Sequence, residues 1–130
     1  MILLTGGSGL LGQELQKHIK CWAPPRAYFN VTHDLEYIMR FEEKPSLIVH
    51  CAAYTDVVKA ETEKELCYQT NVIGTRNLAS LGIPMLYIST SYIFNGTGKY
   101  YSENDYPDPI NFYSLTKLLG EYESRKTKSV

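Results

Sequence analysis

Tyr113 and Lys117 stand four residues apart in the run Tyr113-Ser114-Leu115-Thr116-Lys117. On a helix this spacing puts both side chains on one face. An ammonium beside a phenol favours the phenolate and lowers its pKa from the usual value of about 10. A tyrosine tuned in this way can give a proton to a carbonyl oxygen as hydride arrives, or take it back in reverse. On its own such a pair is common by chance in a chain with 11 tyrosines, and a surface pair is the default reading.

Two further groups of residues could serve the same chemistry. Ser89-Thr90-Ser91 closes an apolar run, and a hydroxyl there could hydrogen-bond the same carbonyl. Ser and Thr also favour strand-ending turns for purely local reasons. Thr5-Gly6-Gly7-Ser8-Gly9-Leu10-Leu11-Gly12 lies between an apolar run and a helical pattern. Glycines in a strand–turn–helix setting let the backbone approach a pyrophosphate, and the helix N-terminus supplies free N–H groups. The competing reading is a tight turn with glycines for backbone reasons alone. About 20 residues on, an acidic residue would hold the ribose 2′-hydroxyl of NAD. Pro24-Pro25-Arg26 occupies that place instead. Arg26 suits the 2′-phosphate of NADP, or is a solvated surface residue.

These groups need elements to hold them. Short apolar runs at residues 2–5, 21–23, 27–31, 47–51 and 84–90 predict five strands. Helical spacing of Leu10, Leu11, Leu15 and Ile19, and of Leu35, Ile38, Met39 and Phe41, places helices between them. Residues 61–81 and 112–123 also have helical composition, and Gly82 ends the former. Strands alternating with helices imply an α/β fold with a parallel sheet and right-handed crossovers. In such a sheet ligands bind beyond the carboxyl ends of the strands. The glycine turn, the end of 47–51 and Ser89-Thr90 all fall there. Residues 96–111 form a long loop, and long loops in small domains are usually functional.

Composition narrows the setting. The chain has 130 residues, 13 Lys+Arg against 14 Asp+Glu and a net charge of −1, which lacks the basic excess of a nucleic-acid binder. No apolar run approaches the roughly 20 residues of a membrane span. Residues 1–7 have no basic region ahead of the apolar part, so they do not resemble a signal peptide. Cys21, Cys51 and Cys67 are odd in number and form no CxxC pair, so neither a disulfide scaffold nor a closed metal site is expected. A reducing, cytoplasmic setting follows.

Glycine turn, strand-end hydroxyl and helical YxxxK, in this order, resemble the extended short-chain dehydrogenase/reductase superfamily, and within it the dTDP-4-dehydrorhamnose reductase family. Val49 to Thr55 followed by Lys59-Ala60-Glu61 is similar to that family's alanine-rich cofactor strand and next helix. Asn71-Val72-Ile73-Gly74-Thr75 resembles its asparagine segment, and Ser89 to Gly96 its hydroxyl-bearing strand end. The stretch from Tyr101 to Glu121 is the most specific. Departures are Ser91 and Asn95, where these reductases usually carry Asp, Val58 at another usual Asp, and Ser114 at a common Gly.

The resemblance implies a Rossmann-like doubly wound sheet and reduction of a nucleotide-sugar ketone in dTDP-rhamnose biosynthesis, with NADP or NAD as cofactor. Thr90, Tyr113 and Lys117 form the implied catalytic set. Thr90 orients the ketone, Tyr113 protonates it, and Lys117 tunes Tyr113 and binds the nicotinamide ribose. Gly6, Gly9, Leu10, Leu11 and Gly12 line the pyrophosphate, Asn30 and Val31 flank the adenine, and Ala52, Ala53 and Tyr54 the neighbouring ribose. For Asn71 the resemblance implies shaping of the middle helix. His50 reads as a packed strand-end residue. Family members continue past the YxxxK helix into the part that completes the sheet and grips the sugar. A single cofactor-binding domain over residues 1–130, without that substrate domain, is therefore expected. The strand ending at Ser89 would keep an unpaired apolar edge, an association site for a second copy or another chain. Two alternatives stay open: a non-catalytic nucleotide-binding partner module, and one piece of a longer split reductase.

Overall fold

The computed structural model describes residues 1–33, 35–40 and 44–127, without the side chains of Tyr37 and Met39. Three apolar runs pair in parallel as β1 (Ile2–Thr5), β2 (Leu47–His50) and β3 (Met85–Tyr87), in the order β1-β2-β3. Leu3 lies opposite Ile48, and Ile48 opposite Met85. These three side chains are fully buried and join Phe29, Val31, Ile38 and Leu78 in one core. In β1 and β2 the last three residues are all buried, odd and even positions alike. Successive strand residues point to opposite faces, so both faces of the sheet are covered.

This is the expected Rossmann-like α/β organisation, with fewer strands. Residues 21–23 contribute a single bridge, Trp22 beside Leu3. The Trp22 N–H donates to Ile2 O, and the Leu4 N–H to Trp22 O, both at 2.8 Å. Pro24 and Pro25, which have no N–H to give, cut that ladder short. Residues 27–31 are not a strand. The Tyr28 and Phe29 N–H groups both donate to Pro25 O, at 2.9 and 3.0 Å, which curls the segment into a turn. Phe29 and Val31 still enter the core, so burial rather than pairing explains the apolar pattern.

The helices are α1 (Leu10–His18), α2 (Leu35–Met39), α3 (Lys64–Tyr68), α4 (Gly74–Ser80) and α5 (Phe112–Ser124). Phe41 and the Met39 side chain, part of the stripe expected for α2, lie outside the described residues. The single helix expected over 61–81 is divided: a 3₁₀ turn at Lys59–Glu61, then α3, a π-helical turn at Gln69–Ile73, and α4. Gly82, at φ 67°, follows α4 and ends it. Asn111 caps α5: its Oδ1 accepts the Ser114 N–H at 2.8 Å, and Ser114 Oγ accepts the Asn111 N–H at 3.3 Å. This reciprocal box holds the first turn of the helix that carries Tyr113 and Lys117. Among the described residues no helix is long and apolar enough to cross a membrane.

A continuous chain of buried hydrogen bonds ties sheet to helices. Thr75 Oγ1 donates to Asn71 O at 2.7 Å, so at 3.0 Å it accepts from His50 Nε2–H. His50 Nδ1 then accepts from Thr5 Oγ1 at 2.7 Å, and Thr5 Oγ1 accepts the Ala52 N–H at 3.3 Å. Asn71 Oδ1 accepts the Tyr54 N–H at 2.8 Å, while its Nδ2 donates to Tyr54 O at 3.1 Å and to Thr116 Oγ1 at 3.0 Å. Thr116 Oγ1 donates to Tyr113 O at 2.7 Å. The arrangement accommodates one neutral imidazole tautomer. Burial, with the Lys117 charge adding to it, lowers the His50 pKa from 6.5 to about 3.

Two predictions follow from this packing. Between pH 6.5 and 3 the unfolded chain binds a proton at His50 that the folded chain refuses. Stability therefore falls as pH falls, by up to about 1.4 kcal/mol per pH unit. Urea unfolding between pH 7 and 5 should show this slope in the native protein and a flatter one in His50→Gln; parallel profiles would contradict it. A Cβ on Gly120 would lie 2.3 Å from Tyr87 Oη and 2.7 Å from Asn71 O. Gly120→Ala should cost about 1–3 kcal/mol in the same assay, and an unchanged midpoint would show that α5 shifts freely.

Candidate functional site

The turn after β1 is built for close backbone approach. Gly6 has φ 74°, and a Cβ there would sit 2.5 Å from Ala52 N. A Cβ on Gly12 would sit 2.2 Å from Gly6 O, so α1 packs directly on the turn. Gln16 Nε2 donates to Gly7 O at 2.8 Å and Gln13 Nε2 to Ser8 O at 2.7 Å. These contacts engage the turn's carbonyls from one side. At its N-terminus α1 has no side-chain cap and no acidic residue in its first turn. That leaves a positive backbone end suited to an anion.

A cleft of about 460 Å³ opens over the carboxyl ends of the strands. Gly6, Gly9, Leu10, Leu11 and Gly12 line one wall, and Arg26, Asn30 and Val31 the far end. Ala52 and Ala53 come from the loop after β2, and Tyr113 and Lys117 from α5. Two of the singled-out residues lie elsewhere. Tyr54 donates its hydroxyl to Glu63 at 2.5 Å, and this contact pushes its pKa up to about 12. Thr90 lines an adjoining groove of about 900 Å³, which meets the cleft at Ser89. Its Oγ1 accepts the Tyr92 N–H at 3.2 Å, and it hydrogen-bonds Tyr113 from that side.

Lys117 is buried at 4% exposure. Its Nζ donates to Ile88 O at 2.6 Å and lies 4.3 Å from the centre of the Tyr87 ring. Burial lowers its pKa from 10.5 to about 8, against the opposing pull of Glu121. Tyr113 is buried as well, and its ring meets Tyr92 edge-on at 6.3 Å. The lowered phenol pKa expected from the four-residue spacing is not what the structure holds. Burial pushes the Tyr113 phenol up, with the Thr90 hydrogen bond working against it. The Lys117 ammonium is directed at the Ile88 carbonyl instead.

Four further residues shape the cleft. Thr5 ends β1 and Cys51 follows β2, Ile88 contributes a backbone carbonyl, and Ser89 joins cleft and groove. Ser89 stands in the strand-end hydroxyl group, and Thr5 and Cys51 at the ends of apolar runs on the ligand side, whereas Ile88 acts through its backbone and has no such signal. The substituted position Asn95 has a local role: its Nδ2 donates to Asp108 at 2.8 Å, and its Oδ1 accepts from the Thr97 N–H at 3.0 Å and the Tyr101 hydroxyl at 2.9 Å. An aspartate at 95 would face the Asp108 carboxylate.

Known proteins share this arrangement. A family model described as the RmlD substrate binding domain matches residues 1–129. The dTDP-4-dehydrorhamnose reductase of Bacillus anthracis, solved in complex with NADP, superposes with a TM-score of 0.90 at 34% identity, over 98% of this chain and 50% of that one. The ortholog from Clostridium acetobutylicum gives a TM-score of 0.88 at 34% identity, with the same coverage. Methionine adenosyltransferase 2 subunit beta of Xenopus tropicalis is 35% identical over 92% of this chain and 41% of its own length. The chain thus spans about two fifths of that curated relative and half of the two solved reductases. It belongs to the RmlD substrate binding domain family, the family of the dTDP-4-dehydrorhamnose reductases.

Proposed function

We propose that residues 1–130 are a single NAD(P)-binding domain of a reductase-like protein that passes hydride to the keto group of a nucleotide-sugar. One observation carries the reading: a single cleft brings the uncapped glycine turn together with Tyr113 and Lys117. The absence of Cβ atoms at Gly6, Gly7 and Gly9 leaves backbone as the wall facing a pyrophosphate. Arg26, at the far end, suits a 2′-phosphate, so both NADP and NAD fit the cleft. The NADP complex of the Bacillus anthracis reductase supports this choice. A bound nicotinamide cofactor supplies the hydride.

The remaining steps belong to this chain's residues. A phenol ordinarily titrates at about pH 10 and so carries its proton at neutral pH. Burial raises the Tyr113 pKa further and keeps that proton on the ring oxygen until an alkoxide develops beside it. Thr90, hydrogen-bonded to it, orients the carbonyl from the groove side. Lys117 presents a fixed positive charge for the nicotinamide ribose. Asn30 and Val31 flank the adenine, and Ala52 and Ala53 the adjoining ribose. Tyr54 supports that wall through its backbone contacts to Asn71. The three free thiols, Cys21, Cys51 and Cys67, support a cytoplasmic setting.

A second reading has its own support. The Xenopus relative is named as a subunit of a methionine adenosyltransferase. On that reading the cleft binds a nucleotide and the chain serves a partner without turnover. Both readings accommodate association through β3. Among the described residues β3 pairs with β2 alone, and Leu86 on it is 40% exposed.

Calorimetric titration should show NADPH or NADH binding, unchanged within about twofold in Tyr113→Phe. With dTDP-4-dehydrorhamnose as substrate, that variant should lose turnover by about 10²–10⁴-fold, the usual worth of a general acid. Full activity in Tyr113→Phe would remove its role, and binding without any turnover would favour the subunit reading. Light scattering should show a dimer or higher species that Leu86→Lys disperses. A native monomer at high concentration would count against the edge as a self-association site.

A further inference from the structure

Lys117 and Glu121 on α5 and Arg125 at its C-cap follow one another at intervals of four, so they share a face. Two of them grip the same peptide. Lys117 Nζ donates to Ile88 O at 2.6 Å. The next residue, Ser89, donates its hydroxyl to the Glu121 carboxylate. Arg125 Nη2 meets the other carboxylate oxygen of Glu121 at 3.3 Å. The Glu121 side chain is 15% exposed, whereas that of Arg125 is 65% exposed. Glu121 thus stands at the wall between cleft and groove, its carboxylate held by Ser89 on one oxygen and Arg125 on the other.

We propose that Glu121 is a positioning residue of the cleft, clamping the Ile88–Ser89 peptide between itself and Lys117. The inference rests on the reductase reading for its consequence in cofactor binding, but the clamp itself is a property of the chain alone. Ser89 belongs to both the cleft and the groove, and Thr90 follows it. The clamp therefore sets where the end of β3 presents its hydroxyls to Tyr113.

The charge balance around Lys117 gives the clamp a second effect. His50 and Cys51 act on the amine from β2 and the residue after it, Cys67 from α3, Tyr87 from β3 and Glu121 from α5 itself, where Tyr113 stands one turn before Lys117. His50 is neutral at physiological pH, and burial holds both thiols and both phenols in their protonated forms. Glu121 is then the anion in this set, with the Arg125 guanidinium behind it. Desolvation alone would strip the proton from the amine, and the carboxylate opposes that loss.

The test follows the Lys117 amine directly, by ¹³C NMR titration of the lysine-labelled protein without cofactor. The native amine should titrate at about pH 8. In Glu121→Gln the midpoint should fall by about one unit or more, the usual effect of removing a close opposite charge. Glu121→Asp should restore part of the difference. Should Glu121→Gln fail to fold, Ser89→Ala decides, because freeing the carboxylate from its anchor should lower the same midpoint. The pH above which NADPH affinity weakens should move down with it. Unchanged midpoints in the folded variants would overturn the clamp. A native protein that binds no NADPH, yet shows the shifted midpoint, would instead overturn the cofactor reading and leave the clamp standing.

Discussion

The buried chain of hydrogen bonds through His50 and Asn71 decides how the sheet and the helices meet. Each member sits in the interior, where an unmatched donor or acceptor costs about 1–3 kcal/mol. Thr5, His50 and Thr75 join the ends of β1 and β2 to α4, and Asn71 and Thr116 carry the connection to α5. Among the described residues no buried side-chain nitrogen or oxygen lacks a partner. A satisfied network of this kind admits few alternative packings. It fixes the glycine turn, through Ala52 and Thr5, relative to the helix carrying Tyr113. The two halves of the cleft are thereby held in one frame before any ligand arrives.

A buried ammonium at the same junction imposes the complementary constraint. Lys117 is 4% exposed, and such a charge persists only where dipoles and counter-charges replace water. The Ile88 carbonyl, the face of Tyr87 and the Glu121 carboxylate supply that replacement. His50 must stay neutral for the same reason, since a second cation within the wall would compete with the first. The fixed His50 tautomer and the charged lysine are two sides of one electrostatic solution. A phenol beside this wall is not ionised by it, because the amine is turned to the strand end and burial acts on Tyr113 directly.

Much of this was legible in the sequence because it depends on local pattern. Gly6 to Gly12 between an apolar run and a helical one gave the turn, and the four-residue spacing gave the shared face of Tyr113 and Lys117. The alternation of strands and helices gave the parallel sheet, although residues 27–31 mimic a strand while burying Phe29 and Val31 from a turn. What sequence reasoning missed depends on distant backbone. Ile88 matters through its carbonyl, which no side-chain type announces. The raised phenol of Tyr113 follows from burial, which spacing does not report. The π-helical turn at Gln69–Ile73 interrupts a composition that reads as one helix, because the Asn71 side chain is drawn to the Tyr54 backbone.

The division between cleft and groove explains how one scaffold serves relatives with different names. The cleft is walled by the end of β1, the glycine turn with α1, the loop after β2, and α5. The buried network joins β1, that loop and α5, and α1 packs on the turn. The groove is bounded by β3, the far side of α5 and the loop in which Asn95 pairs with Asp108. The cleft thus lies on the side fixed by the network, and the groove on the side where, among the described residues, β3 pairs with β2 alone. Ser89 lines both regions, and Thr90 after it lines the groove. A reductase and a subunit of another enzyme can share the first half of this architecture and diverge in what they lay against the second.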